Sequence, residues 1–215
     1  MNYIVRMKDK LDKLSETDKE FKQCIKGMTK EQAYQFFKAH KGVYLYNTEE
    51  TKAEFAKMTG RRCSFCTKQI SDFHTEMTVE HIETKQDCPE KIYQWDNLLC
   101  ACRSCNTKRS TKKYLADKYL DPAKVKDIER YFCFRADGSI SADKTLSAAE
   151  TKKAEYMIEL YQLDREDLDT ERREFFNNLM DDEYFQILER RSKDSQDIHF
   201  WSVFAYYKRR MEDGK

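Results

Sequence analysis

Residues 61–113 read RRCSFCTKQISDFHTEMTVEHIETKQDCPEKIYQWDNLLCACRSCNTKRSTKK, and the fold turns on this stretch. It holds two C-x-x-C pairs, Cys63-Ser64-Phe65-Cys66 and Cys102-Arg103-Ser104-Cys105, with 35 residues between them. Two such pairs suit four thiolates closing a tetrahedral zinc site. All four donors are protein sulfur, which leaves no open coordination position, so the zinc is expected to be structural. Cys24, Cys88, Cys100 and Cys133 stand outside this spacing and are read as thiols, because disulfides are rare in cytosolic chains.

On the N-terminal side of this stretch, Thr17 with Glu20, Thr29 with Gln32 and Asn47 with Glu50 resemble capping boxes, and Gly27, Gly42 and Gly60 stand where helices should stop. These signals predict helices near 18–26, 30–40 and 48–58. On the C-terminal side, Asp137-Gly138 inside residues 128–142 predicts a β-hairpin. Ser147 with Glu150 caps a helix whose Ala154, Met157, Ile158 and Tyr161 form one apolar stripe, and further helices are expected near 165–180, 182–192 and 198–212. Two prolines and five glycines in 215 residues also favour helix. The expected class is α+β, mainly α. It divides into an N-terminal helical region (1–60), a metal-bearing core (61–116), and a hairpin with a C-terminal helical region (117–215), the last packed on the core and available to a partner.

Net charge is close to zero, at +1, so the chain has no overall basic field for nucleic acid. The charge is nevertheless uneven, with a basic front half and an acidic rear. No acidic residue occurs from Asn97 to Ala116, where Arg103, Lys108, Arg109, Lys112 and Lys113 supply cations; with Lys85 they are the candidate phosphate contacts. No apolar run approaches the roughly 18–20 residues that span a bilayer, and the N-terminus carries no signal-peptide pattern, so a soluble, cytoplasmic chain is expected. His40, His74 and His199 are read as a helix end, a loop residue and a helix-face residue, and the aromatic run 199–207 as core packing that also permits a partner-binding helix.

Val79-Glu80-His81-Ile82, Trp95-Asp96-Asn97-Leu98-Leu99 and Cys105-Asn106-Thr107-Lys108, framed by the two cysteine pairs, resemble the HNH, or ββα-metal, endonuclease family. The resemblance implies a phosphodiesterase in which Glu80 and Asn106 hold a catalytic metal ion, His81 is the general base, and Asn97 holds the loop that orients it. The same resemblance, and not the apolar pattern of these segments, implies a strand over Met77–His81, a second over Leu98–Cys102 and a helix over Arg103–Lys113 that crosses both. A carboxylate and an amide oxygen are hard donors, which favours Mg²⁺ or Mn²⁺ at that site and Zn²⁺ at the thiolates. Three positions depart from the usual pattern: Glu80 replaces Asp or His, Thr84 replaces a proline, and Asn106 replaces the terminal His.

Beyond the core, Tyr119-Leu120-Asp121-Pro122, Tyr131-Phe132-Cys133-Phe134, Asp137-Gly138-Ser139-Ile140 and Leu163-Asp164-Arg165 with Leu168 and Arg172 follow in the order of the PtuB-like nuclease subunits of Septu-type anti-phage systems, some of which accompany retrons. That resemblance implies an ABC-type, PtuA-like ATPase partner and nucleic acid as substrate, with DNA favoured over RNA or tRNA. The competing readings are a non-catalytic zinc-knuckle binding module and a stand-alone restriction or homing nuclease.

Overall fold

The computed structural model describes residues 12–40, 45–72, 75–109, 114–192 and 198–214. Three N-terminal helices come first: α1 (Asp12–Cys24), α2 (Lys30–His40) and α3 (Glu49–Thr59). Their ends follow local chemistry, with two corrections. Thr17 lies inside α1 and turns its hydroxyl back to the Lys13 carbonyl at 2.9 Å, because the buried pair Leu14 and Phe21 draws the helix further upstream. The cap of α3 is Thr48, one residue beyond the expected Asn47; its hydroxyl accepts from the Thr51 amide at 3.1 Å. Thr29 and Gln32 do close a reciprocal box at α2. Gly60 ends α3 in the left-handed region, at φ 58°, a conformation with little steric cost for glycine. Gly42 lies outside the described residues.

Strands β1 (Met77–His81) and β2 (Leu98–Cys102) pair antiparallel, with Met77 opposite Cys102 and His81 opposite Leu98. β2 is buried along nearly its whole length, consistent with an apolar run lacking the polar alternation of a half-exposed strand. α3 and α4 (Arg103–Lys108) both pack against this pair. α4 is shorter than the expected helix: Arg109 leaves helical geometry at φ −51°, ψ 126°, and residues 110–113 lie outside the described residues. The connection between β1 and β2 is fastened to the N-terminal helices by aromatic contacts, Phe21 with Tyr93 at 5.0 Å and Phe55 stacked on Trp95 at 4.6 Å.

The C-terminal part begins with the hairpin of β3 (Phe132–Phe134) and β4 (Ile140–Ala142). Gly138, at φ 88°, turns it, and its amide donates to the Arg135 carbonyl. Helix α5 (Ala148–Leu160) opens on a complete Ser147–Glu150 capping box and buries Ala154, Met157 and Ile158 together with Tyr161 just beyond its end. Helices α6 (Glu166–Leu179), α7 (Asp182–Arg191) and α8 (Trp201–Glu212) follow. The aromatic run of α8 faces inward: Phe200, Val203, Phe204 and Tyr206 are buried, with Phe175 and Phe185 among their neighbours. α8 starts at Trp201, so His199 sits in the preceding turn against Phe200 rather than on a helix face.

The C-terminal helices meet the cysteine-bearing loop directly. Phe65, between the first two cysteines, stacks on Tyr161 at 3.7 Å, and the Ser202 amide at the start of α8 donates to the Thr67 hydroxyl at 3.2 Å. No helix of the described residues is long and apolar enough to cross a membrane.

Candidate active site and metal centre

The ligand sulfurs of Cys63, Cys66, Cys102 and Cys105 lie within 4.8 Å of one another, with Cys66 and Cys102 at 3.9 Å. Zinc–sulfur bonds of about 2.3 Å in a tetrahedron put neighbouring sulfurs about 3.8 Å apart, so the cluster has the size a zinc ion needs. The first loop is shaped by Thr67, held left-handed at φ 62°, whose amide donates to the Cys63 carbonyl at 3.0 Å. The second is shaped by the start of α4, where the Cys105 amide donates to the Cys102 sulfur at 3.4 Å. Burial pushes the Cys63 thiol well above its ordinary range, whereas hydrogen bonds from Cys102 and Cys105 hold the Cys66 thiol well below it; a cation at the centre would let all four ionise together. Burial likewise pushes Cys100 up to about 12, which keeps it a neutral core thiol. None of the eight cysteines is in a disulfide.

One arginine from the C-terminal part touches this cluster, and a second is coupled to it through charge alone. Both terminal nitrogens of Arg165 lie 3.7 Å from the Cys105 sulfur, and Arg172, 2% exposed, is held by Asp169 at 3.1 Å and lies over the Phe134 ring. Four thiolates around a dication leave a net charge of about −2, and two guanidinium groups in a poorly solvated place offset it. Electrostatic reasoning from the core alone misses these residues; the signal for them was the Leu163-Asp164-Arg165 motif with Arg172.

At the other end of β1 stand the candidate catalytic residues. His81 is 4% exposed, and its Nε2 lies 2.9 Å from the Ile92 carbonyl. A carbonyl can only accept, so Nε2 carries the proton and Nδ1 holds the lone pair. Burial and the nearby Lys85 ammonium pull its pKa down to about 3, leaving a neutral imidazole at neutral pH. The Tyr46 ring meets the imidazole edge-on at 4.6 Å, and the Tyr46 hydroxyl accepts from Lys85 at 2.9 Å. Tyr46 had no motif to mark it. Lys85 therefore stands at the histidine, apart from the basic residues of α4.

Asn97 is buried and ties the intervening loop together. Its Oδ1 accepts from the Glu83 amide at 2.8 Å, and its Nδ2 donates to the Glu83 and Lys91 carbonyls, each at 3.1 Å. One residue past Lys91 is Ile92, whose carbonyl fixes His81, so the asparagine reaches the imidazole through a single turn of chain. Burial works against ionisation of Glu83 in that loop, but Lys91 and Cys88 outweigh it and hold the carboxyl below its usual range.

Glu80 and Asn106 lie on the α4 side of β1. The Asn106 Nδ2 donates to the Thr78 hydroxyl at 3.0 Å, and Thr78 and Glu80 share a strand face at i and i+2. The fixed amide nitrogen leaves the Asn106 oxygen as an available hard donor. Adjacent strand residues point to opposite faces, and the partners of the His81 ring, Ile92 and Tyr46, are not those of Glu80.

The basic run is less continuous than its sequence implies. Arg103 is exposed and turns its guanidinium onto the Thr75 carbonyl at 2.7 Å, and Lys108 is exposed. Arg109 corrects the expectation of a solvent-facing cation: α4 stops at Lys108, and the extended turn carries its guanidinium, only 10% exposed, onto the Glu80 carboxylate and the His81 and Ile82 carbonyls. Lys112, Lys113 and His74 lie outside the described residues. His40 ends α2, with its Nδ1 2.8 Å from the Phe36 carbonyl.

Comparison with known proteins agrees with this geometry. Residues 63–112 match the family described as HNH endonuclease. Over 71 residues the chain is 28% identical to the Septu protein PtuB of Bacillus thuringiensis, a match covering 33% of this chain and 28% of that relative. Paired strands followed by a helix, a four-cysteine cluster at their base and the matched span coincide, and residues 63–112 are an HNH endonuclease domain carried within a larger, mostly helical chain.

Proposed function

We propose that this chain is a metal-dependent endonuclease that hydrolyses phosphodiester bonds, DNA in preference to RNA, as the effector of an anti-phage complex with an ATPase subunit of the PtuA kind. The observation that carries the reading is the state of His81: a neutral imidazole with its proton on Nε2 and its lone pair on Nδ1, fixed by the Ile92 carbonyl at the end of β1 beside Tyr46 and Lys85. Such a group can take a proton from water, which phosphodiester hydrolysis requires. Lys85 and Tyr46 flank it, and an anionic phosphate beside Lys85 would remove one of the two influences that hold His81 down, so the base strengthens when substrate is in place. Asn97 keeps the Ile92 carbonyl on Nε2 and so maintains the tautomer.

Glu80 and Asn106 would hold Mg²⁺ or Mn²⁺, which when bound supplies positive charge beside the phosphate oxygens and acidifies a bound water. The four thiolates would hold Zn²⁺ as a staple that fixes β2 and α4 relative to the 63–68 loop. The partner assignment rests on the PtuB similarity, and the near-neutral charge supports it: a nuclease without a strong field of its own gains from a companion that delivers substrate. The C-terminal region is the part of the chain we assign to that companion.

The test is cleavage of plasmid DNA and total RNA by the wild type and His81→Ala, with Mg²⁺, Mn²⁺ or EDTA, alone and with the co-purified ATPase. Metal-dependent cutting absent from the variant supports the reading, and its substrate follows from which polymer is cut. Equal behaviour of the two proteins under every condition would leave a zinc-knuckle binding module.

A further inference from the structure

The Arg109 guanidinium contacts the Glu80 carboxylate and the His81 carbonyl and donates to the Ile82 carbonyl at 3.0 Å. Both side chains of the ion pair are almost fully buried, at 10% and 9% exposure. The rear of the guanidinium lies 5.7 Å from the Tyr161 ring centre, and Tyr161 is itself fully buried, stacked on Phe65 and bonded through its hydroxyl to Tyr119 at 3.1 Å. The arginine is thus held by a carboxylate, two backbone carbonyls and an aromatic ring of the C-terminal part.

We propose that Arg109 is the resting counter-cation of Glu80, so that its guanidinium and a divalent metal ion are alternative occupants of one carboxylate. The inference rests on the reading of Glu80 as a metal ligand. A buried carboxylate needs a partner of opposite charge, and Arg109 supplies it without metal. A dication on the same oxygens would stand within a few ångström of a guanidinium in a poorly screened place, and the two like charges would repel strongly. Metal entry therefore displaces the arginine. A planar guanidinium set free at that spot is suited to a phosphate diester, whose oxygens it can meet with two parallel hydrogen bonds. Metal and substrate then favour each other: phosphate stabilises the displaced arginine, and the displaced arginine opens Glu80. Glu80 stays neutralised by Arg109 until a metal ion takes its place, and a phosphate makes that exchange easier.

The experiment measures Mn²⁺ binding by electron paramagnetic resonance, without substrate, in zinc-loaded wild type, Arg109→Gln and Glu80→Gln. Arg109→Gln should bind Mn²⁺ about tenfold tighter than the wild type, an ordinary size for coupling between two competing occupants; unchanged or weaker binding overturns the proposal. Glu80→Gln should lose the site. If it binds like the wild type, the reading of Glu80 as a ligand has failed; if it loses the site while Arg109→Gln gains nothing, only the exchange has failed. A second measurement needs no folded variant at this position: in the wild type, the Nη–H resonances of Arg109, followed by nitrogen-edited NMR, should lose their protection from solvent exchange as Mg²⁺ saturates the protein. Protection that survives saturation overturns the proposal.

Discussion

Asn97→Asp keeps the size and shape of the side chain and changes one group, which makes it a direct test of how the loop positions the histidine. In the wild type the amide nitrogen donates to two carbonyls at 3.1 Å while the oxygen accepts from the Glu83 amide at 2.8 Å. Aspartate retains the acceptor but sets a second oxygen against the Glu83 and Lys91 carbonyls, so two hydrogen bonds become two repulsive contacts at a site only 4% exposed. Each lost bond is worth about 1 kcal/mol, and the Glu83 carbonyl, left without a donor, adds about 1 kcal/mol or more, while the Lys91 carbonyl keeps the Gln94 amide, giving a loss of about 3–4 kcal/mol. That is a large share of the roughly 5–15 kcal/mol of an ordinary fold. Urea unfolding of the zinc-loaded protein measures it. The same substitution should loosen the loop and admit water to His81, and because burial is the largest cause of its low pKa, the imidazole value, read from its Cε1–H shift by NMR, should climb from about 3 toward the ordinary value near 6.5, even though the lost Ile92 hydrogen bond acts the other way. Lowering the pH should partly restore stability, because the introduced carboxyl group regains one donor when it is protonated. Wild-type stability together with an unmoved His81 titration would refute the argument that Asn97 acts on the histidine through the loop.

Three further outcomes are expected. His81 has a folded pKa of about 3 against about 6.5 unfolded, so its contribution to stability is complete above pH 6.5 and is lost at about 1.4 kcal/mol per pH unit as pH falls toward 3; the difference in unfolding free energy between wild type and His81→Gln across that window should carry this slope, and parallel curves would exclude it. Arg165→Gln removes a guanidinium 3.7 Å from the Cys105 sulfur, and zinc release to a colorimetric chelator should quicken by about tenfold, as for other groups that support metal ligands; an unchanged rate would show that the arginine does not stabilise the thiolates. In Gly138→Ala the new Cβ would lie 1.8 Å from the Asp169 carbonyl of α6, at a φ of 88° unfavourable to any side chain, so the hairpin must part from the helix at a cost of about 2 kcal/mol or more, measurable as a lowered unfolding midpoint.

Several features were legible from short windows of sequence because the forces that make them are short-range. The spacing of Cys63, Cys66, Cys102 and Cys105, the limits of β1 and β2, the Ser147 cap and the turn at Gly138 each depend on residues a few positions apart, or on a motif that names its own chemistry. Helix ends were less legible. Thr17 and Asn47 carry the chemistry of a cap, but Phe21 on α1 and the Thr48 hydroxyl on α3 settled the boundaries, since burial and one competing hydrogen bond outweigh a capping preference of about 1 kcal/mol.

The sequence alone determined that a cysteine-framed ββα unit exists and where its strands run. Tertiary structure alone decided what surrounds them. Arg109 reads as one more cation in a basic run, yet it lies against Glu80 because α4 stops one residue earlier and Tyr161 closes the space behind it. Arg165 reaches Cys105 across 60 positions of chain, Tyr46 reaches Lys85 across 39, and Ser202 reaches Thr67 across 135. Spacing and periodicity record how a segment meets its own neighbours, whereas the charge balance at the thiolates and at Glu80 depends on segments that become neighbours only when the whole chain packs.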